Sequence, residues 1–382
     1  MEYVLTNCLI YTEDKVEHGY IIVENQKIKC VEAGHYRGAL ECHDMHKQHI
    51  LPGFIDIHIH GGYGQDFMDA DLTGLQHLSR SLLTEGTTSY LATTMTQSES
   101  AIMTALSTLR DYHHHQSSEG AEMLGIHLEG PFISEHKVGA QNPMFVERPS
   151  RARIEKFQAQ ADHLIKIITF APEVDGADEV LDQLHDSIIF SMGHTGATFD
   201  DINEAAARGA KHITHLYNAA TPFEHRQPGA FGAAWTNDDL AAEIIVDGIH
   251  SHPAAVDIAY RIKGRDRLFL ITDAMRAKGM RSGIYDLGGQ DVTVTHNTAR
   301  LKDGTLAGSI LRMNQGLRNM MQYTGRTLEE LWPVTSLNQA EALGIEDRKG
   351  SITEGKDADL VVLDDDCNVI MTIKHGVMHR FN

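Results

Sequence analysis

From about residue 51 the chain repeats one pattern eight times: a short apolar run, then an amphipathic stretch, then another short apolar run. That alternation is the signature of successive β/α units feeding a parallel sheet. The apolar runs are Phe54–His60, Thr87–Thr94, Met123–Glu129, Ile165–Phe170, Ile188–His194, Lys211–His215, Ala242–Asp247 and Leu268–Asp273. Helical patterns lie between them, such as Leu72–Glu85 before Gly86 and Phe199–Arg208 before Gly209, with glycine in the left-handed closing position. Eight such units predict an α/β fold of the (β/α)8 barrel type.

At 382 residues the chain has room for a barrel and a smaller attached domain. Residues 1–50 and 346–382 are strand-like and turn-rich, with runs at Tyr20–Val23, Ile28–Val31, Leu360–Leu363 and Val369–Ile373. They predict one small β-sandwich domain built from both ends, flanking a catalytic barrel over 51–345. The stretch Gly283–Leu306, with turn signals at Gly288–Gly289 and Asp303–Gly304, reads as a hairpin inserted after the last barrel strand. His113–His115 reads as solvated surface at a helix end.

Charge and cysteine usage narrow the function. Against 33 basic side chains stand 53 acidic ones, a net charge of −20, which opposes nucleic acid and anionic membranes as partners. An anionic small substrate then needs a local cationic pocket. No apolar run approaches the roughly 20 residues of a membrane span, and Met1 to Ile10 lacks a basic region before an apolar stretch. Cys8, Cys30, Cys42 and Cys367 have neither paired spacing nor scaffold density. These features predict a cytoplasmic protein with reduced thiols.

In a barrel of this type the reactive groups come from the carboxyl ends of the strands. The first run ends in His58-Ile-His60, and the two-residue period of a strand puts both imidazoles on one side. The third ends in Glu129, the fifth in His194, the sixth in His215 and the eighth in Asp273. A lone histidine at a strand end is commonly structural, but four imidazoles and two carboxylates at one barrel end are costly to bury without a cation. First-row divalent metals accept this mixture of N and O ligands. His127 shares the face of Glu129 and is placed beside the ligands, while His212 points away. A cation so bound acidifies water and polarises a carbonyl, which is hydrolysis chemistry. Asp273 is suited to take a proton from that water and pass it to a leaving nitrogen.

The runs Pro52-Gly-Phe-Ile-Asp-Ile-His-Ile-His60, His127-Leu-Glu-Gly-Pro-Phe132, Gly193-His-Thr195, His215-Leu-Tyr-Asn-Ala219, Asp247-Gly-Ile-His250, Thr272-Asp-Ala274 and Leu306-Ala-Gly-Ser309 resemble the N-acetylglucosamine-6-phosphate deacetylases of the amidohydrolase superfamily. Other superfamily members bridge their metals with a carboxylated lysine ending the fourth strand, where this chain has Phe170.

The resemblance implies one metal on Glu129, His194 and His215 and a second on His58 and His60 bridged by Glu129, with zinc, iron, manganese and cobalt all compatible. It implies substrate contacts from Asn218, Ala219, Arg226, His250, Leu306 and Ala307. It also implies a homodimer in which Arg226 reaches the neighbouring subunit. Gln141 stands where several relatives carry histidine, and it can donate a hydrogen bond to the substrate amide without becoming charged. Competing readings are a deacetylase of N-acetylgalactosamine 6-phosphate, another amidohydrolase, and a non-catalytic sugar-phosphate sensor.

Overall fold

The computed structural model describes residues 2–13 and 16–381. Eight parallel strands, β1 (Phe54–Ile59), β2 (Thr87–Thr94), β3 (Glu122–Glu129), β4 (Ile165–Phe170), β5 (Ile189–Met192), β6 (His212–Ile213), β7 (Ala241–Ile245) and β8 (Leu268–Ile271), pair in sequence order. Every residue of β1, β2 and β8 is buried, because helices cover the outside and side chains fill the inside. The seam between β1 and β8 is drawn together at the carboxyl end, where Asp273 N–H donates to His58 O (2.8 Å) and His60 N–H to Ala274 O (2.9 Å). Lower in the seam the Thr272 hydroxyl donates to the buried Asp56 carboxylate (2.5 Å).

The outer helices follow their sequence signals closely. Leu72–Leu82 is capped by Asp71, whose carboxylate accepts from Thr73 N–H, and it buries Leu75, Leu78 and Leu82 on one face. The expected helix to Glu85 ends in a 3-10 turn, Leu83–Glu85, closed by Gly86 at φ 84°. The other expected helix is Phe199–Ala207, held by a capping box between Thr198 and Asp201.

The two ends of the sequence build a single small β domain. Its eight strands form one continuous sheet, in which His49–Pro52 lies between Glu2–Tyr11, which it pairs in parallel, and Leu360–Leu363, which it pairs antiparallel. Leu5, Ile21, Ile50, Leu360 and Ile373 meet in its apolar core. Charges fasten this domain to the amino-terminal rim of the barrel, away from the strand ends that carry chemistry. Glu122, the first residue of β3, pairs with Lys349 (2.9 Å) and Lys374 (3.3 Å), and Lys374 also holds Asp359 (2.7 Å).

The insertion after β8 is a three-stranded antiparallel sheet, Gly283–Leu287, Gln290–Val294 and Ala299–Arg300. Gly288 and Gly289 turn its first corner at φ 60° and 80°, a pair of positive angles that favours glycine at both places. Its apolar face packs Leu287, Val292, Val294 and Ala299 on Met95 and Met275. Gln290 Nε2 donates to Ala140 O (2.7 Å) and Gln97 Nε2 to Gly288 O (2.6 Å), which ties the insertion to loops at the barrel mouth.

Candidate active site

Three of the six residues expected at strand ends lie just past the last ladder hydrogen bond, where the backbone turns. His194, His215 and Asp273 have φ of 48°, 31° and 47°, a left-handed region that side chains other than glycine rarely occupy. Such strain persists only where the surroundings impose it, and here it aims each side chain inward over the barrel axis. All six side chains are buried and converge. Glu129 Oε1 lies 3.2 Å from His194 Nε2 and 3.2 Å from His215 Nε2, which are themselves 3.1 Å apart. On the other side His58 Nε2 is 3.4 Å from Glu129 Oε1, and His60 Nε2 is 3.2 Å from Glu129 Oε2 and 3.2 Å from Asp273 Oδ1.

These spacings fit cations. Four donors placed tetrahedrally at about 2.0–2.1 Å from a zinc-like ion stand roughly 3.3 Å apart, close to the separations within each group. Two of the four imidazoles have a tautomer set by a hydrogen bond. His58 Nδ1–H donates to Glu243 Oε2 (2.8 Å) and His194 Nδ1–H to Lys137 O (2.9 Å), so both present Nε2 lone pairs to the centre. His58 Nε2 is buried without a hydrogen-bond partner. Lone pairs facing carboxylate oxygens form a socket of acceptors that a proton or a metal must fill. Burial alone would lower His60, yet Asp273 and Glu129 push it up to about 9, and a metal competes with protons for the same lone pairs.

Around these side chains some buried groups are hydrogen-bonded, while His60 Nδ1, His215 Nδ1 and Glu243 Oε1 are buried without a partner. Both ring nitrogens of His127 are engaged by the protein: Nδ1–H donates to Ile57 O (2.9 Å) and Nε2 accepts from Thr169 (2.7 Å). From Thr169 a hydroxyl chain continues through Thr214 (2.8 Å) to Ser191 (2.6 Å), bracing the strands beneath the centre. His212 lies edge-on to Phe269, with centroids 4.8 Å apart, and takes no part. Glu243 is the residue that sequence reasoning missed. Its Oε2 also accepts the amide of His215 (3.1 Å), so one carboxylate braces residues on β1 and after β6. A glutamate midway along an otherwise apolar run was the available signal.

Above the centre opens a cavity of about 630 Å3, within the size range of small-molecule sites. Gln141, Asn218, Ala219, His250 and Leu306 line it as expected. Gln141 is held in one orientation, with its Oε1 accepting from Thr96 N–H (2.7 Å) and its Nε2 donating to Glu129 Oε2 (2.5 Å). His250 Nδ1–H donates to Asp247 (2.6 Å), which leaves Nε2 for a ligand. Burial alone would lower this imidazole, but Asp247 raises it above its ordinary value.

One contact expected within the chain, Ala307, lies elsewhere, and Arg226, expected to reach a neighbouring subunit, lies outside its own chain's cavity. Ala307 is fully buried in the core of the insertion, while its neighbours Leu306 and Gly308 line the cavity. Arg226 is exposed and lines a separate depression of about 500 Å3, because the loop that carries it extends outward until a helix starts at Gly229. Loops supply the cavity residues His136, Lys137, Asp303 and Thr305, and the last strand of the insertion supplies Arg300.

Comparison with known proteins places these features in context. A model of the amidohydrolase family matches residues 49–378. Over 380 residues the chain is 49% identical to N-acetylglucosamine-6-phosphate deacetylase of Bacillus subtilis (strain 168), covering 98% of this chain and 96% of that one. The structure of N-acetylglucosamine-6-phosphate deacetylase from Thermotoga maritima matches with a TM-score of 0.90 at 36% identity, over 99% of this chain and 100% of that one. A mutant of the Mycobacterium smegmatis deacetylase in complex with N-acetyl-D-glucosamine-6-phosphate matches with a TM-score of 0.93 at 30% identity, over 99% of both chains.

Proposed function

The chain belongs to the amidohydrolase family, and on that premise we propose that it hydrolyses the acetamide of N-acetyl-D-glucosamine 6-phosphate to D-glucosamine 6-phosphate and acetate, a step of amino-sugar breakdown. The observation that carries this reading is the meeting of His58, His60, Glu129, His194, His215 and Asp273 at the floor of a cavity walled by His250 and Asn218. The near full-length likeness to deacetylases of this sugar phosphate supports the choice of substrate.

Two divalent metals are proposed per chain. Glu129, His194 and His215 would hold one, while His58 and His60 would hold a second, with Glu129 bridging; zinc, iron, manganese or cobalt suits the donors. Such cations supply acidified water and a polarised amide carbonyl. The protein's own groups do the rest. Burial alone would raise Asp273, but His58 and His60 bring it down to about 2, so it enters the reaction ionised. It takes a proton from water as the water oxygen attacks the acetyl carbon, and it returns that proton to the nitrogen as the C–N bond breaks. Gln141 is fixed as a donor beside Glu129, and His250 and Asn218 orient the sugar phosphate.

A homodimer is proposed as well, supported by the exposure of Phe223 and Arg226 on a loop outside its own cavity. A cytoplasmic setting is supported by four free thiols. No helix among the described residues is long and apolar enough to cross a membrane. The test of the activity is acetate release from N-acetylglucosamine 6-phosphate by metal-loaded protein, lost on chelation and restored by added metal. A folded, metal-loaded protein that releases no acetate from this substrate refutes the reading.

A further inference from the structure

The proposed substrate carries a phosphate dianion towards a chain of net charge −20, and Arg226 lies outside the cavity of its own chain. A different arginine lies inside. Arg300 ends the third strand of the inserted sheet and lines the cavity together with His250 and Asn218. Its charge is felt at the His250 imidazole, where it opposes the pull of Asp247.

Arg300 is set in place by its surroundings. Its backbone pairs with Thr293 on one side and bridges to Leu306 on the other, and Nη1 donates to Gly304 O (2.7 Å). The sheet beneath it is pinned by Gln290 and Gln97, and by Arg276, whose Nε donates to Asp286 O (2.8 Å). Arg276 and Arg348 are half-buried and held by carboxylates, Asp69 and Glu122, whereas Arg300 is exposed at the cavity wall. Among the described residues no carboxylate pairs with Arg300. The nearby Asp303 carboxylate is turned back on its own loop, accepting from Thr305 N–H (2.9 Å). With one hydrogen bond made of the five a guanidinium can donate, the rest of the planar fork remains for an anion.

We propose that Arg300 is the cation that holds the substrate's phosphate within one chain, beside His250, so that the loop bearing Arg226 adds to a phosphate site already present. This rests on the deacetylase reading above, and it makes the inserted sheet the element that sets preference for phosphorylated sugars.

The experiment compares acetate release from N-acetylglucosamine 6-phosphate and from unphosphorylated N-acetylglucosamine by metal-loaded parent, Arg300→Ala, Arg300→Lys and Arg226→Ala proteins. Arg300→Ala should raise KM for the phosphorylated sugar by roughly tenfold to a hundredfold, as for a lost charge-assisted contact, and change activity on the unphosphorylated sugar by a far smaller factor. Arg300→Lys should recover part of the loss, because a point charge remains without the fork. Binding of glucosamine 6-phosphate, followed by calorimetry without turnover, should weaken in Arg300→Ala by the same factor. If the parent releases acetate from neither sugar or shows no preference for the phosphorylated one, the deacetylase reading itself falls. If the parent shows the preference and Arg300→Ala keeps it, or loses both substrates equally, the assignment of Arg300 falls alone.

Discussion

Replacing Glu243 by Gln tests whether a residue that touches no substrate governs the metal on β1. Glu243 is fully buried, and its Oε2 takes both the His58 Nδ1–H and the His215 amide. Burial alone would raise its carboxyl, yet His58 and neighbouring imidazoles hold it below its ordinary value, so it is charged. The glutamine oxygen can occupy the place of Oε2 and accept both bonds. What disappears is the charge, and a neutral bond contributes about 1 kcal/mol less than a charge-assisted one. Loss of its pull on a nearby dication adds to this. Together the affinity at the His58/His60 position should fall by about tenfold to a hundredfold, or roughly 1.4–2.7 kcal/mol. The amide nitrogen would take the place of Oε1, which has no partner, so the fold should lose about 1–3 kcal/mol for a buried amide nitrogen whose two N–H donors are unmet, and still form. Titration against a chromophoric chelator reads the two equivalents separately, and thermal melting reads the fold. A Glu243→Gln protein that holds both equivalents with parental affinity, or weakens only the His194/His215 position, refutes the argument.

Asp273→Asn should lower kcat by at least about a hundredfold with far less change in substrate affinity, because the asparagine cannot carry the proton; near-normal turnover in folded, metal-loaded protein removes Asp273 from that role. Replacing His58 and His60 together by Asn should leave one metal equivalent, counted by elemental analysis after desalting, and two equivalents in that variant would exclude the proposed second site. The acid limb of stability should follow the carboxylates at the barrel base. Burial alone would raise Asp359, but Lys374 and Lys349 hold it well below the carboxylate range. A depressed pKa contributes stability present above the unfolded value of about 4 and lost as pH falls below it. Asp359→Asn should therefore destabilise by about 3–5 kcal/mol near pH 7, with the gap to the parent shrinking as pH falls from 7 to 3; a constant gap in urea midpoints would remove Asp359 from the acid limb.

The barrel was legible because short runs of buried, largely apolar or β-branched residues alternate with helices that carry ordinary caps, so the signals are local. The convergence of the six strand-end residues was legible for the same reason: a barrel sends all strand ends to one rim. Glu243 escaped notice because its meaning depends on His58, 185 residues away in sequence. His136 and Lys137 escaped because loops place side chains by tertiary contact, with no period to read, and Arg300 because its strand, Ala299–Arg300, is too short to show one. Arg226, expected at the site of a neighbouring subunit, lies on an outward loop and lines a depression apart from its own chain's cavity.

The pairing of His49–Pro52 with Leu360–Leu363 also sets a schedule for the nascent chain. Roughly 300 residues separate the two strands, which at about 5–20 residues per second is some 15–60 s of synthesis. During that interval the emerging barrel can recruit each β/α unit from the one before it, while the first strands of the small sheet wait with one edge open. An open edge is a template for pairing with other chains. A stalled or shortened polypeptide lacking Leu360–Leu363 would keep that edge indefinitely, so arrest late in translation should produce aggregating species even after the whole barrel has left the ribosome.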